Sequence, residues 1–144
     1  MALRYWPGAH TKHRLLYHRV WVPKYRRRIL QGKVAVRVRH GLYEACKVND
    51  WWIHEVKVLP EHVHVLIQIH PTETVAAVVQ QLKGGTSYLV RKEFPELEEF
   101  LWSDRFWADG YFAETIGAQS YAAVKKYIQN NAAIMPQPKR SPAL

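Results

Sequence analysis

The chain has a single cysteine, Cys46, so it can form neither an internal disulfide nor a cysteine-rich zinc centre. Cys46 falls among Leu42, Ala45 and Val48, which reads as a buried, inert thiol. No apolar run approaches the roughly 20 residues that span a bilayer, so no membrane partner is expected. Arg4, His10, Lys12 and His13 interrupt any apolar stretch at the start, which argues against a signal peptide and for a cytoplasmic location. Acidic residues are scarce. Only 12 Asp and Glu face 21 Lys and Arg, a formal charge of +9 before the 8 His are counted. A surplus of that size suits a polyanion, nucleic acid first and an acidic membrane surface second, because each cation laid on a phosphate releases counterions. A Walker loop, a Gly-x-Ser-x-Gly elbow and a His-Glu-x-x-His helix are all missing, which removes P-loop nucleotidases, serine hydrolases and zincins.

What is present is enough apolar surface for one core: 48% of 144 residues. The periodicity predicts a strand from His13 to Val22, followed by Pro23 and the basic run Lys24-Tyr25-Arg26-Arg27-Arg28. Val34, Val38, Leu42, Ala45 and Cys46 recur at helical spacing, and that helix fades near Asn49-Asp50. A second strand runs from Trp51 to Leu59. After Pro60-Glu61 comes the cleanest alternation in the chain. Val63, Val65, Ile67 and Ile69 share one face, and His62, His64, Leu66, Gln68 and His70 the other. Thr74 can cap a second helix with Val75, Val78, Val79, Leu82, Thr86, Leu89 and Val90 inward and Gly84-Gly85 inside it. A fourth strand is expected near Phe106 to Ile116. Ser120 then caps a last helix with Tyr121, Val124 and Ile128 inward.

This order predicts an α+β fold: a split βαβ (ferredoxin-like or RRM-like) antiparallel sheet, helices on one face, and an added C-terminal helix. Residues 1–12 read as a flexible terminus, 13–131 as a single domain and 132–144 as a flexible, Pro-rich basic tail.

Residues two apart on a strand point the same way, about 6.6 Å apart at the backbone. The imidazoles of His62 and His64 can therefore converge on one divalent ion, or simply hydrogen-bond on a half-buried sheet. Leu66 stands where a histidine-triad hydrolase needs its third histidine. On the last helix Tyr127 shares a face with Ser120, Ala123 and Asn131, beside the core stripe. It can be a nucleophile or a boundary aromatic. A phenol with an ordinary pKa of about 10 needs help to attack phosphorus near neutral pH.

Five blocks in order resemble the HUH transposases of the insertion sequence 200/605 family, the single-tyrosine group. They are Trp21-Val22-Pro23-Lys24-Tyr25-Arg26-Arg27, Leu59 to Ile67 around His62-Val63-His64, Leu82-Lys83-Gly84-Gly85-Thr86-Ser87, Leu101-Trp102 through Tyr111-Phe112, and Val124-Lys125-Lys126-Tyr127-Ile128. The resemblance implies a transposase that recognises DNA hairpins and cleaves and rejoins single-stranded DNA through a 5′-phosphotyrosine link. It implies Tyr127 as nucleophile, and Mg²⁺ or Mn²⁺ held by His62, His64 and a polar residue of the tyrosine helix. The family usually has Gln four residues after the tyrosine; here Asn131 takes that place, and Glu61 replaces the commoner Asp before the first histidine. The resemblance also implies a homodimer with composite active sites. Lys24, Arg26, Arg27, Arg28, Lys83 and Arg91 are the candidates for DNA-backbone contact. The competing reading is a hairpin-binding module of the same fold with little or no chemistry. The aromatic signature of RNA-binding sheets is absent.

Overall fold

The computed structural model describes residues 3–8, 10–101 and 105–131, with the side chains of Phe100 and Asn131 outside that set. Trp102 and the tail 132–144 also lie outside the described residues. In chain order the elements are β1 (Trp6–Pro7), β2 (Lys12–His13), β3 (Leu15–Trp21), α1 (Gly32–Asn49), β4 (Trp52–Leu59), β5 (His62–Ile69), α2 (Val75–Glu93), α3 (Glu98–Leu101), β6 (Phe112–Ile116) and α4 (Ala118–Asn131). Four strands form one antiparallel sheet in the order β4-β5-β3-β6. A tight hairpin joins β4 to β5, and helical crossovers run from β3 to β4 past β5 and from β5 to β6 past β3, the split βαβ arrangement.

The alternation in β5 divides the molecule. Val63, Val65, Ile67 and Ile69 enter the main core beneath α1 and α2, with Trp21, Val38, Leu42, Val78 and Leu82. On the opposite face Leu66 packs with Leu16, Ile116 and Ile128 of α4, and Tyr121 and Val124 close over them. The last helix therefore covers the face that α1 and α2 leave bare, and all eight β5 residues are buried. Thr74 caps α2 as expected, its side chain accepting from the Ala77 N–H at 3.1 Å.

Three departures from the sequence pattern have local causes. The regular fourth strand begins at Phe112 rather than Phe106; before it Trp107 makes an isolated antiparallel bridge with Pro23, just past β3, while its side chain is held by α2. There the Trp107 indole N–H donates to the Lys83 carbonyl (3.0 Å) and to Thr86 Oγ1 (3.1 Å). The last helix starts at Ala118, two residues before Ser120. Within the segment read as a loose terminus, Trp6 and Pro7 pair with His13 and Lys12, and Trp6 packs on His70 with ring centres 4.8 Å apart.

Candidate active site

Register decides what stands beside the two histidines. β3 runs antiparallel to β5 with Val20 opposite His64 and His18 opposite Leu66. His62 and His64 lie with ring centres 4.8 Å apart, 5% and 0% exposed. The Nδ1 of His64 is 3.1 Å from Nε2 of His18, whose ring stacks on it with centres 5.4 Å apart and planes 20° from parallel. The Nδ1 of His18 is 3.5 Å from Glu114 Oε1 on β6. Burial pushes the His18 imidazole below its usual pKa, against the opposing pull of Glu114.

His62 has its own neighbour. Its Nδ1 lies 3.3 Å from Glu61 Oε1, and the other Glu61 oxygen accepts from Arg28 Nη1 at 2.8 Å. Protein groups thus face Nδ1 of both rings, so a cation would meet Nε2 in each case. That arrangement fits a hard divalent ion that keeps several water or phosphate oxygens of its own. Among the described residues no group of three or more His, Cys, Asp or Glu side chains is arranged to hold a metal. A third protein ligand would have to be of another residue type or come from elsewhere.

Tyr127 is carried to this face by α4, next to the fully buried Ile128. Its hydroxyl is buried and makes no hydrogen bond among the described residues, and burial raises its pKa above the ordinary phenol value. Polar contacts hold the helix on β4. Tyr121 Oη is 3.0 Å from His54 Nδ1, and Gln129 Nε2 donates to Glu55 Oε2 at 2.6 Å. His54 reaches this face because β4 slips register between Ile53 and Glu55, and its Nε2 then sits 3.0 Å from Gln68 Oε1. Gln68 in turn donates to the Arg4 carbonyl at 3.2 Å. Asn131 ends α4 one turn beyond Tyr127, with its side chain outside the described set.

The candidate DNA contacts fall in two places. Lys24 to Arg28 form the loop after β3, bound to the histidine site through Arg28 and Glu61. In that loop Tyr25 and Arg26 both adopt left-handed backbone (φ 61° and 53°), which costs roughly 1–3 kcal/mol for each non-glycine residue. The strain presents the exposed Tyr25 ring, with Lys24 and Arg27 lying 5.5 and 5.2 Å from its centre. Lys83 and Arg91 instead line a groove of about 470 Å³ between α2 and the segment 105–111, together with Gly84, Ser87, Arg105 and Tyr111. The Lys83 ammonium donates to the carbonyls of Ala108 (2.6 Å) and Gly110 (3.0 Å), so it also braces the groove wall. Partial burial lowers its pKa. Arg91 pairs with Glu98, Nε to Oε1 at 3.1 Å. Cys46 is buried, as expected, and burial pushes its thiol up to about 12.

The sequence pattern singles out neither His18, Glu114 nor His54. The signal for His18 is that it alternates with the buried Val20 on a strand whose neighbour is β5. A single strand's pattern does not say which strands are neighbours.

Comparison with known proteins agrees with this architecture. The profile of the family described as "Transposase IS200 like" matches residues 11–131. The ISDra2 transposase TnpA of Deinococcus radiodurans is 30% identical over 123 residues, covering 85% of this chain and 88% of that protein. The transposase for insertion sequence element IS200 of Salmonella typhimurium is 31% identical over 122 residues, covering 85% and 80%. Among solved structures, a transposase candidate from Deinococcus radiodurans R1 superposes with a TM-score of 0.72 at 27% identity, covering 86% of this chain and 95% of that one. A REP-associated tyrosine transposase bound to a REP hairpin shares the fold (TM-score 0.62, 14% identity, covering 88% and 73%).

Proposed function

Because the chain belongs to the IS200-like transposase family, we propose that it cleaves and rejoins single-stranded DNA at insertion-sequence ends, with Tyr127 as nucleophile. The observation that carries this reading is that α4, the helix bearing Tyr127, packs on the same sheet face as His62 and His64. Tyr127 Oη forms a bond to phosphorus as the bond from phosphorus to the 3′ oxygen breaks. The phenol gives up its proton and the departing 3′ oxygen gains one, leaving a 5′-phosphotyrosine and a free 3′-hydroxyl. Rejoining reverses the exchange, and no nucleotide cofactor is consumed because the number of phosphodiester bonds is conserved.

His62, His64 and Asn131 are the proposed ligands of Mg²⁺ or Mn²⁺, which supplies Lewis-acid polarisation of the scissile phosphate. Tyr127 most needs that help, since burial disfavours its phenolate. Lys24, Arg26, Arg27 and Arg28 steer the strand toward the histidines. Lys83 and Arg91, with Arg105, offer a second cationic surface in the groove for a DNA hairpin. A relative of the same fold is bound to a REP hairpin, which supports a DNA hairpin as the partner but not a particular surface for it.

The proposed enzyme is a homodimer in which one chain's histidines meet its partner's tyrosine helix. In the described chain α4 packs on its own sheet's histidine face, so a composite site requires that helix to meet the partner's histidines instead. Single-stranded element-end DNA with Mn²⁺ should yield a covalent protein–DNA adduct that survives a denaturing gel. EDTA and His64→Ala should suppress it, and an adduct persisting in Tyr127→Phe sinks the assignment. Mixing His64→Ala with Tyr127→Phe chains should restore adduct if the sites are composite; no restoration assigns both halves to one chain. Asn131→Gln should increase the adduct if the shorter amide weakens the third ligand. Hairpin binding without adduct under any metal would favour a binding module instead.

A further inference from the structure

The pair His18–Glu114 lies behind the proposed cation site and has no part in the chemistry assigned above. We propose that His18, backed by Glu114, is a positioning residue that sets the tautomer and ring orientation of His64. This rests on the reading of His62 and His64 as a cation-binding pair.

Proton counting sets the arrangement. Two imidazole nitrogens 3.1 Å apart share a single proton: two lone pairs would repel, and two N–H groups would collide. Either His18 donates or His64 does. The carboxylate of Glu114 accepts only, and its Oε1 stands 3.5 Å from Nδ1 of His18. That favours the proton of a neutral His18 on Nδ1, so its Nε2 carries a lone pair. His64 must then donate from Nδ1, which puts the His64 lone pair on Nε2, the nitrogen a cation would use.

Burial makes the order hard to reverse. His18 and His64 are 1% and 0% exposed, so water cannot readily replace either partner. Stacking on His64 and an edge contact with Phe112 (centres 6.1 Å apart) fix the plane of the His18 ring. The Glu114 side chain is 48% exposed on the outer strand, so it stays hydrated while facing Nδ1. On the other side Glu61 faces Nδ1 of His62 in the same sense. Both rings are thus oriented from behind by groups that would not touch the ion.

The test uses full-length protein, Mn²⁺ alone as the probe, and the variants His18→Phe, His18→Gln and Glu114→Ala. Phe keeps the ring and the stack but cannot accept a proton. Gln restores an acceptor near the Nε2 position. Electron-spin titration should show Mn²⁺ affinity falling 10- to 100-fold in His18→Phe. It should stay within about threefold of wild type in His18→Gln and fall only a few-fold in Glu114→Ala. Two-dimensional ¹H–¹⁵N correlation on the metal-free protein should show the Nδ1–H tautomer of His64, replaced by a mixture in His18→Phe.

Unchanged Mn²⁺ affinity in a folded His18→Phe overturns the positioning role and leaves the cation site standing. A wild type that binds no Mn²⁺ removes the cation site. The tautomer then decides alone: Nε2–H on wild-type His64 overturns the proposal, and Nδ1–H lost in His18→Phe upholds it. If His18→Phe fails to fold, Nδ1–H kept in His18→Gln but mixed in Glu114→Ala upholds the proposal, and Nδ1–H lost in His18→Gln or unchanged in Glu114→Ala overturns it.

Discussion

Replacing Arg19 by Met should make the protein more stable without touching its chemistry. Arg19 lies on β3 opposite Val65, which turns it toward α1 and α2, and it is 0% exposed. None of its three guanidinium nitrogens has a hydrogen-bond partner among the described residues. Among the described residues its cation–ring contact is with Tyr17, whose centre is 5.2 Å from Cζ. Removal from water pulls its pKa down to about 10. Each tenfold loss of proton affinity corresponds to about 1.4 kcal/mol. Holding the charge in the core therefore costs about 3 kcal/mol relative to the unfolded chain. Methionine fills a similar volume with a flexible, apolar side chain. Losing the ring contact gives back about 1 kcal/mol, so the net gain should be about 2 kcal/mol. For a chain of this size that raises the melting temperature by roughly 5–8 °C. The sign of the pH effect follows from the lowered pKa. The unfolded chain holds this proton more tightly, so the cost is full below pH about 10 and shrinks only above it. Melting followed by circular dichroism at pH 7 and pH 8 should therefore show the same difference between wild type and Arg19→Met. The adduct yield should be unchanged, because the side chain points away from His18 and His64. A melting temperature lowered by several degrees would refute the reasoning and mean that the folded protein compensates this charge with a group not accounted for.

Two further outcomes follow from other parts of the fold. Gly84 lies in α2, and a Cβ added there meets nothing within 4 Å. Gly84→Ala should stabilise the helix by about 1 kcal/mol, and if the groove takes DNA it should weaken hairpin binding in a filter assay, whereas unchanged affinity would remove the groove from the interface. His54 is held below the ordinary histidine pKa by burial and, less strongly, by Lys125. The unfolded chain thus takes up the proton first. Stability should be full above about pH 6.5 and fall as the pH drops below it, and His54→Gln should flatten that decline in thermal melts.

Much of the chemistry-bearing face is legible in the sequence. The period-two pattern of His62 to Ile69 assigns each β5 residue to the correct side, and the Val124–Ile128 stripe assigns the inner side of α4. The parts that are not legible depend on neighbours far away in the chain. His18 gains its meaning only because β3 pairs with β5, a contact 46 residues distant. His54 reaches Tyr121 through a register slip in β4 that no alternation rule anticipates. The stretch from Phe106 looks like strand because it is apolar, yet its pairing is a single bridge between Trp107 and Pro23, and the Trp107 indole is held by the α2 backbone. Lys83, whose charge suggests a phosphate contact, also anchors two loop carbonyls, a use that spacing alone does not reveal.

The turn at Pro60-Glu61 joins two strands whose register pairs Leu59 with His62 and Val58 with Val63. That register is what separates folding from chemistry. A one-residue slip of β5 against β4 and β3 would turn every β5 side chain to the opposite face. The histidines would then enter the apolar core, and the valines would replace them beneath the tyrosine helix. The turn's composition matters less to this outcome than the register it holds, apart from Glu61 and His62, which the site uses. A family built on this strand should therefore vary in composition at the hairpin and hardly at all in its register.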